Sequence, residues 1–421
     1  MNDPSSNQSQ TGFIDVQMRG FRHRTPLGEA LLQIDQRISI GKAESAHLEN
    51  VAGRVLAENI ASSVDIPGFP RAAMDGYAIS AGDTLPASPE TPVQLSIVGE
   101  SWPGRACPIS VVSGQAIQIM TGAPAPVGAD AVLPVEQVDL LGSSIRVTSP
   151  ISSGKNISSI GEDVTKGQIV LRAGRRLRPQ DIGLLASIGA GDVQVYAAPL
   201  VAVLVTGNEL LPPGTKPEGY RMVDSNSIML AGLVRRDGGV SAPVVYLPDD
   251  PDRIGEALRN SQADVILICG GSSVGKEDFV PKLVAQLGEL LVHGIAIRPG
   301  GPGGFGFVNN KPVFLLPGNP VACLVAYDLL ASRAIRRMGG MPTALPYSSL
   351  DIPLASPIHS AAGRVDYVRV RVTANGAEPI PGSGGSRLST TVEADGFMLV
   401  EAEREGLQVG EIVRVYRYDV P

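Results

Sequence analysis

The sequence predicts a multi-domain α/β protein, in which a central, doubly wound, mostly parallel α/β domain spans about 196–345. Three observations predict it. Continuous apolar runs alternate with helix-like stretches from about 199 onward, the order that builds a parallel sheet through helical crossovers. Between roughly 61 and 145 the chain instead shows short β-like runs broken by Pro and Gly, which reads as an inserted β-rich domain. From 346 to 421 strand-like alternation returns in "DYVRVRV" and "EIVRVYRY", as a separate C-terminal β-domain.

The bulk properties agree. With 421 residues the chain exceeds one ordinary core, so several domains are expected. A 43% hydrophobic and 18% charged composition is that of a soluble globular protein. The 49 glycines and 34 prolines imply many shaped loops. A net charge of −7 argues against a nucleic-acid or anionic-membrane surface, although local donors can still hold a small anion. Cys107, Cys269 and Cys323 form no C-x-x-C pair, so neither a disulfide framework nor a zinc site is expected, and a reducing cytoplasm fits. The N-terminal "MNDPSSNQSQTG" lacks a signal peptide's apolar stretch. No uncharged apolar run approaches the ~20 residues a membrane helix needs.

Element by element, residues 1–24 read as a disordered tail. "TPLGEALLQIDQRI" carries Leu27, Leu31, Ile34 and Ile38 on one helical stripe. A second helix is expected after Pro179, whose place is the first turn. Packing of these two helices would make 25–60 and 146–195 one discontinuous linker and dimerisation domain, with 61–145 inserted into it. "LVAVLVTG" reads as a strand buried on both faces. A helix follows with Asp224 as its N-cap, then the strand "SAPVVYL" and a helix capped by Asp250 with Pro251 at its first position. "ADVILIC" is a third strand, "DFVPKLVAQLG" a helix despite Pro281, "KPVFLLPG" a fourth strand and "PVACLVAYDLLASRAIRRMGG" one long helix.

In an open α/β sheet, ligands bind beyond the carboxyl ends of the strands. Four predicted strands run into unusual loops there: "TGNEL" (206–210), "LPDDPD" (247–252), "CGGSSVGKED" (269–278) and "LPGNP" (316–320). The third contains G-x-x-x-x-G-K, but Glu277 stands where a phosphate-binding loop places the Ser or Thr that holds Mg²⁺. A glycine- and serine-lined anion seat followed by an acid describes it better than a kinase or ligase loop. Glu209, Asp249 and Asp278 are the acids nearest the expected crevice, and carboxylates beside phosphate-cradling loops suit a hard cation such as Mg²⁺. Taken singly, each acid could equally be a helix cap or a solvated charge, and Gly270 and Gly271 could serve only to turn the chain.

"AMDGYA", "TGAP…GADAV…E", "GEDV…G", "VAVLVTGNEL", "DSN", "CGGSSVGKED", "RPGGP", "LPGNPV" and "ADGFMLVE" occur in this order over about 70–400. The ordered set resembles the molybdopterin molybdenumtransferase family, of the MoeA and gephyrin E-domain type. The resemblance implies that the α/β domain is of the molybdopterin-binding type, that the chain forms a homodimer, and that adenylylated molybdopterin is cleaved with Mg²⁺, molybdate being ligated to the dithiolene as AMP leaves. It implies catalytic roles for Asp278, Glu209 and Asp249, the same three acids being the metal ligands. It implies substrate contacts at Thr206, Gly207, Asp224, Asn226, Gly270, Gly271, Ser272, Ser273 and Gly275. Arg298, Pro299, Gly300, Pro317, Gly318, Asn319, Pro320, Arg364 and Ser389 match further substrate positions, Arg364 a residue implicated in oxyanion binding. Asp75, Thr121 and Asp163 match positions that reach the partner protomer's cleft. The resemblance also leaves room for docking of a molybdopterin adenylyltransferase and of molybdoenzyme chaperones.

The chain departs from the family pattern around the implied molybdate pocket. K-P-G-K-P is here Arg298-Pro299-Gly300-Gly301-Pro302, the Ser after "LPGNPV" is Ala322, and "GGSRLS" (384–389) offers Ser386 or Ser389 for a family serine. These losses define the alternative reading, a non-catalytic pterin-binding or scaffold paralogue.

Overall fold

A computed structural model of the chain describes residues 20–272, 275, 278–382 and 384–418. They fall into two compact units. The larger comprises the N-terminal residues through Ser45, Gly53–Ala57 and everything from Gln194 onward; the other comprises Ala46–Ala52 and Glu58–Val193.

The larger unit is built on strands Leu200–Thr206 (β1), Val240–Ser241 (β2), Val245–Leu247 (β3), Val265–Cys269 (β4), Gly288–His293 (β5), Gly304–Val308 (β7) and Lys311–Leu316 (β8). The sheet runs β2-β1-β4-β8-β7-β5, with β3 also on β1. β2, β3, β1, β4 and β8 are parallel, whereas β7 and β5 add an antiparallel edge. The central strands are buried on both faces, and alternate residues sort cleanly between them. Val201, Val203, Val205, Val265, Leu267, Phe314 and Leu316 face the helices Leu27–Arg37 (α1), Asn226–Arg236 (α2), Pro320–Ala326 (α5) and Ser332–Met338 (α6). Ala202, Leu204, Ile266, Ile268, Val313 and Leu315 face Pro251–Asn260 (α3) and Val280–Leu287 (α4). This is the doubly wound arrangement the apolar runs predict.

Three local expectations need correction. "SAPVVYL" forms two short strands rather than one, with Pro243, which has no N–H to give a ladder, between them. β5 and β7 are additional to the four strands read from the sequence; a Cβ at Gly306 would overlap the Glu289 carbonyl oxygen, so glycine is what lets this strand close on its neighbour. The long C-terminal helix is interrupted by a π turn over Tyr327–Ala331 between α5 and α6. α1 also differs from expectation. Its Ala30, Ile34 and Ile38 lie in the α/β core, while the helix Pro179–Ser187 belongs to the other unit.

The C-terminal sheet, order β6-β10-β12-β13-β9, comprises Ile297–Arg298 (β6), Val365–Thr373 (β10), Gly396–Val400 (β12), Ile412–Arg417 (β13) and Ser348–Pro353 (β9), with Gly376–Pro379 (β11) on β10. It is not independent of the α/β core. β6 pairs parallel to β10, and Val365, Tyr367 and Phe397 join the same apolar cluster as α1 and α5.

The second unit carries a six-stranded sheet ordered Ala131–Pro134, Gly76–Ile79, Gln115–Ile119, Val93–Ser101, Ser144–Val147, Val138–Leu141. Tyr77, Leu95, Ala116, Leu133, Ile145 and Val147 form one core on it, and Ala78, Ile117, Ile119 and Val132 another. Among the described residues no helix is long and apolar enough to cross a membrane.

A buried ion cluster fastens the end of α2 to the π turn and to the chain entering the C-terminal sheet. Arg236 donates to Asp237 at 2.7 Å and to Asp328 at 2.9 Å, and Arg336 reaches Asp237 at 3.2 Å. Tyr327 donates to Asp237 at 3.0 Å and Tyr347 to Asp328 at 2.8 Å. Burial pushes the Asp328 carboxyl up, and Arg236 opposes that. Replacing Arg236 by Ala leaves two fully buried carboxylates short of a cation, and is expected to destabilise the unit by about 3–5 kcal/mol. Urea unfolding followed by tyrosine fluorescence checks this; an unchanged midpoint would refute a structural role for the cluster.

Candidate active site

The parallel register sets the site. Val205 lies opposite Cys269, and Cys269 opposite Leu316, so the loops after β1, β4 and β8 leave the sheet at one level. Gly270 is pressed against the first of these loops. Its φ is +96°, and a Cβ there would come within 2.5 Å of the Thr206 carbonyl oxygen, so both backbone conformation and space require glycine. The loops enclose a cleft of about 620 Å³ lined by Thr206, Gly207, Glu209, Asp224, Asn226, Asp249, Gly270, Gly271, Ser272, Asp278, Pro317, Gly318, Asn319, Pro320 and Ser386.

Glu209, Asp249 and Asp278 thus line one cavity. They do not, however, make the three-carboxylate metal site the sequence suggests: among the described residues no group of three or more His, Cys, Asp or Glu is placed to hold an ion. Two of the acids are tied to backbone. Asp249 accepts from the Asn208 N–H at 3.0 Å, and Asp278 accepts from the Gly275 N–H. Ser273, Lys276 and Glu277 lie outside the described residues.

The glycine-serine loop is also a different seat from the one expected. The Gly270 N–H and the Ser272 hydroxyl both donate to the Leu316 carbonyl, at 3.2 Å each. The donors with no protein acceptor among the described residues are the N–H groups of Gly271 and Ser272. Beneath them His293 sits with Nε2 at 2.9 Å from the Ser272 carbonyl. A carbonyl only accepts, so Nε2 carries the proton in this contact.

Asp224 caps α2: it accepts from the Asn226 N–H at 2.8 Å and the Ser227 N–H at 3.3 Å, and its second oxygen accepts from the Tyr246 hydroxyl at 2.9 Å. The side chain of Asn226 is thereby aimed at the cleft floor, where Nδ2 donates to the Gly318 carbonyl at 2.7 Å. Its Oδ1 is buried without a partner among the described residues, an acceptor available to a ligand.

A second cavity, of about 260 Å³, is lined by Arg24, Arg298, Pro299, Gly300, Gly301, Pro302, Pro317, Asn319, Ala322, Arg364 and Gly385. Pro302, Pro317 and Asn319 also line the larger cleft, so the two cavities adjoin. Its cations are organised from below. In the β6–β10 pairing Arg298 lies opposite Asp366, which is 1% exposed. Arg298 donates to Oδ2 of Asp366, and Ser360 donates to the same oxygen at 2.7 Å. Arg364 Nε stands 3.3 Å from Oδ1, an ion pair whose N–H does not point squarely at the oxygen.

Two corrections concern this region. Ser386, not Ser389, lines the cleft: Gly385 accepts from the Val321 and Ala322 N–H groups, which brings its neighbour in, whereas Ser389 begins a short helical turn. Arg24 falls inside the stretch read as a disordered tail, yet Thr25 pairs with Ile295 and Phe21 packs on His293 with ring centroids 4.9 Å apart. Phe21, a large aromatic residue close before the first helical stripe, was the available signal. Asp75, Thr121 and Asp163 belong to the other unit and are not among the residues lining either cavity. There Asp75 accepts from both the N–H and the hydroxyl of Thr121 at 2.7 Å, which holds its carboxyl below the usual range.

Family models match along the chain: the MoeA N-terminal region (domain I and II) over 25–189, a probable molybdopterin binding domain over 202–337, and the MoeA C-terminal region (domain IV) over 351–418. A putative molybdopterin biosynthesis protein of Methanocaldococcus jannaschii is 34% identical over 386 residues, covering 89% of this chain and 92% of that protein. The chain belongs to the MoeA family. A molybdopterin molybdenumtransferase of Haemophilus influenzae is 33% identical, covering 89% of this chain and 93% of that one. The crystal structure of a molybdopterin biosynthesis MoeA protein from Pyrococcus horikoshii superposes with a TM-score of 0.78 at 33% identity, over 94% of this chain and all of that one. The architecture is thus that of MoeA, with β-rich N- and C-terminal regions around a mixed α/β domain. Membership of the MoeA family gives the chain a role in molybdenum cofactor biosynthesis, as a transferase.

Burial holds the His293 imidazole below its usual value, with Asp278 opposing. The folded protein keeps this ring neutral where the unfolded chain already takes up a proton, so stability is lost as pH falls below about 6.5. His293→Gln, which retains a donor for Ser272, is expected to flatten that loss. Urea midpoints at pH 8 and pH 5.5 compare the two proteins; equal pH dependence would remove His293 as the cause.

Proposed function

We propose that the chain is a molybdopterin molybdenumtransferase that cleaves adenylylated molybdopterin, releases AMP and ligates molybdate to the dithiolene. The observation that carries the reading is the adjacency of two unlike cavities that share wall residues. The larger has acids, and two backbone N–H groups and an amide oxygen that have no partner among the described residues, a set suited to a phosphate and a pterin. The smaller is walled by guanidinium groups, suited to a tetrahedral oxyanion. The shared walls at Pro302, Pro317 and Asn319 put the two reacting ends of the chemistry side by side. The alternative of a non-catalytic scaffold is not favoured, since three arginines still line the smaller cavity.

In this reading the Gly271 and Ser272 N–H groups hold the adenylyl phosphate, and Asn226 Oδ1 accepts from the pterin. Asp278, with one oxygen fixed by Gly275, moves the proton at the phosphate. The carboxylates make no protein cage, but a Mg²⁺ ion is commonly held by one or two carboxylates together with substrate phosphate oxygens. Asp249 and Glu209 would hold such an ion, which supplies charge neutralisation at the phosphate. Asp75, Thr121 and Asp163 act across a homodimer, and the protein works in the cytoplasm.

Asp278→Asn is expected to slow AMP release by at least about 10²-fold, the usual lower scale for a positioned acid–base group, while pterin binding is retained. Unchanged turnover would discard Asp278 as the proton-transfer group, and no AMP release by the wild-type protein with Mg²⁺ and substrate would discard the transferase. Light scattering at micromolar concentration should give twice the 43.9 kDa chain mass; a monomer would remove the cross-protomer roles.

A further inference from the structure

The smaller cavity lacks two groups that the family pattern places in its sequence neighbourhood, a second lysine at 301 and a serine at 322. We propose that Arg24, from the segment leading into α1, replaces the lost cation and is an oxyanion-binding residue of this chain. The proposal rests on the reading of that cavity as the molybdate pocket.

Three observations converge. A Cβ built at Gly301 would stand 3.7 Å from Arg24 Cζ, so the guanidinium occupies the space into which a side chain at 301 would project. The segment carrying Arg24 is fixed rather than adjacent by chance: the Thr25 N–H donates to the Gly294 carbonyl and the Ala296 N–H to the Thr25 carbonyl, each at 2.9 Å. Arg24 lines the cavity and has no carboxylate partner among the described residues, only the face of Phe21 at 5.8 Å.

The charge balance explains why a third cation matters. Asp366 is engaged by both Arg298 and Arg364 and cancels one of their charges. Those two alone leave a single net positive charge for a dianion. Arg24 adds the second, and its planar fork presents paired donors to neighbouring oxygens of a tetrahedral oxyanion.

The experiment is equilibrium binding of inorganic molybdate to the full-length protein, for wild type, Arg24→Ala, Arg24→Lys, Arg298→Ala, and the double variant Arg24→Ala with Gly301→Lys. Thermal melts report whether each folds. A side chain at 301 requires the Ile297 carbonyl oxygen, 3.3 Å from its Cβ, to give by a few tenths of an ångström, which the melt of the double variant checks. Arg24→Ala is expected to weaken molybdate binding by about tenfold or more, and both Arg24→Lys and the double variant to recover most of it. Binding by Arg24→Ala equal to wild type, with Arg298→Ala defective, overturns the proposal and leaves the pocket standing. A loss in Arg24→Ala that neither lysine restores makes Arg24 a packing residue and also overturns it. A wild-type protein that binds no molybdate overturns both this inference and the pocket reading.

Discussion

The fixed register of three parallel strands is the constraint on which the rest of the structure depends. β1, β4 and β8 are buried on both faces, so they cannot slip by one residue without exchanging the side chains of two different cores. Val205, Cys269 and Leu316 therefore end at one level. The segments that follow must turn into the same space, and Gly270 is there because Thr206 leaves no room for a Cβ. The cleft is a consequence of sheet packing, and its glycines are a consequence of the cleft.

The second constraint is the parallel pairing of β6 with β10. A two-residue strand is a slight structural element, but its register sets Arg298 against Asp366. A carboxylate this buried needs its charge met and its lone pairs filled. Arg298 and Arg364 meet the charge, and Arg298 and Ser360 both donate to Oδ2. The same contacts restrict the two guanidinium groups to the cavity wall, so the stability of the junction and the placement of cations are one interaction. The Arg236–Asp237–Asp328 cluster works at the far end of α2, where Tyr347 ties to it the chain entering the C-terminal sheet.

Electrostatically the site inverts the character of the chain. A protein of net charge −7 concentrates arginines at one cavity and carboxylates at the adjoining cleft. Two of these carboxylates, Asp249 and Asp278, are held by the backbone N–H groups of Asn208 and Gly275. That arrangement leaves the acids anchored while the cleft stays open to a ligand that brings its own phosphate.

Much of the fold was legible from the chain alone. Apolar runs of strand length, Asp250 and Pro251 at a helix start, and Pro179 in a first turn rest on local sterics and hydrogen bonding, which neighbouring residues determine. The ordered motifs carried the family, and strand-end position brought Glu209, Asp249 and Asp278 to attention. What the sequence could not supply were the features set by segments far apart in the chain. β5 and β7 are not among the strands read from the sequence, and the helix α1 declares no partner until its stripe meets the α/β core. Ser386 enters the cleft only because Gly385 is held by the backbone of α5, and Arg24 reaches the smaller cavity only because Thr25 pairs beside Ile295. Local preference selects the elements, but which side chains share a cavity is decided by long-range pairing, and a one-dimensional pattern does not encode that distance.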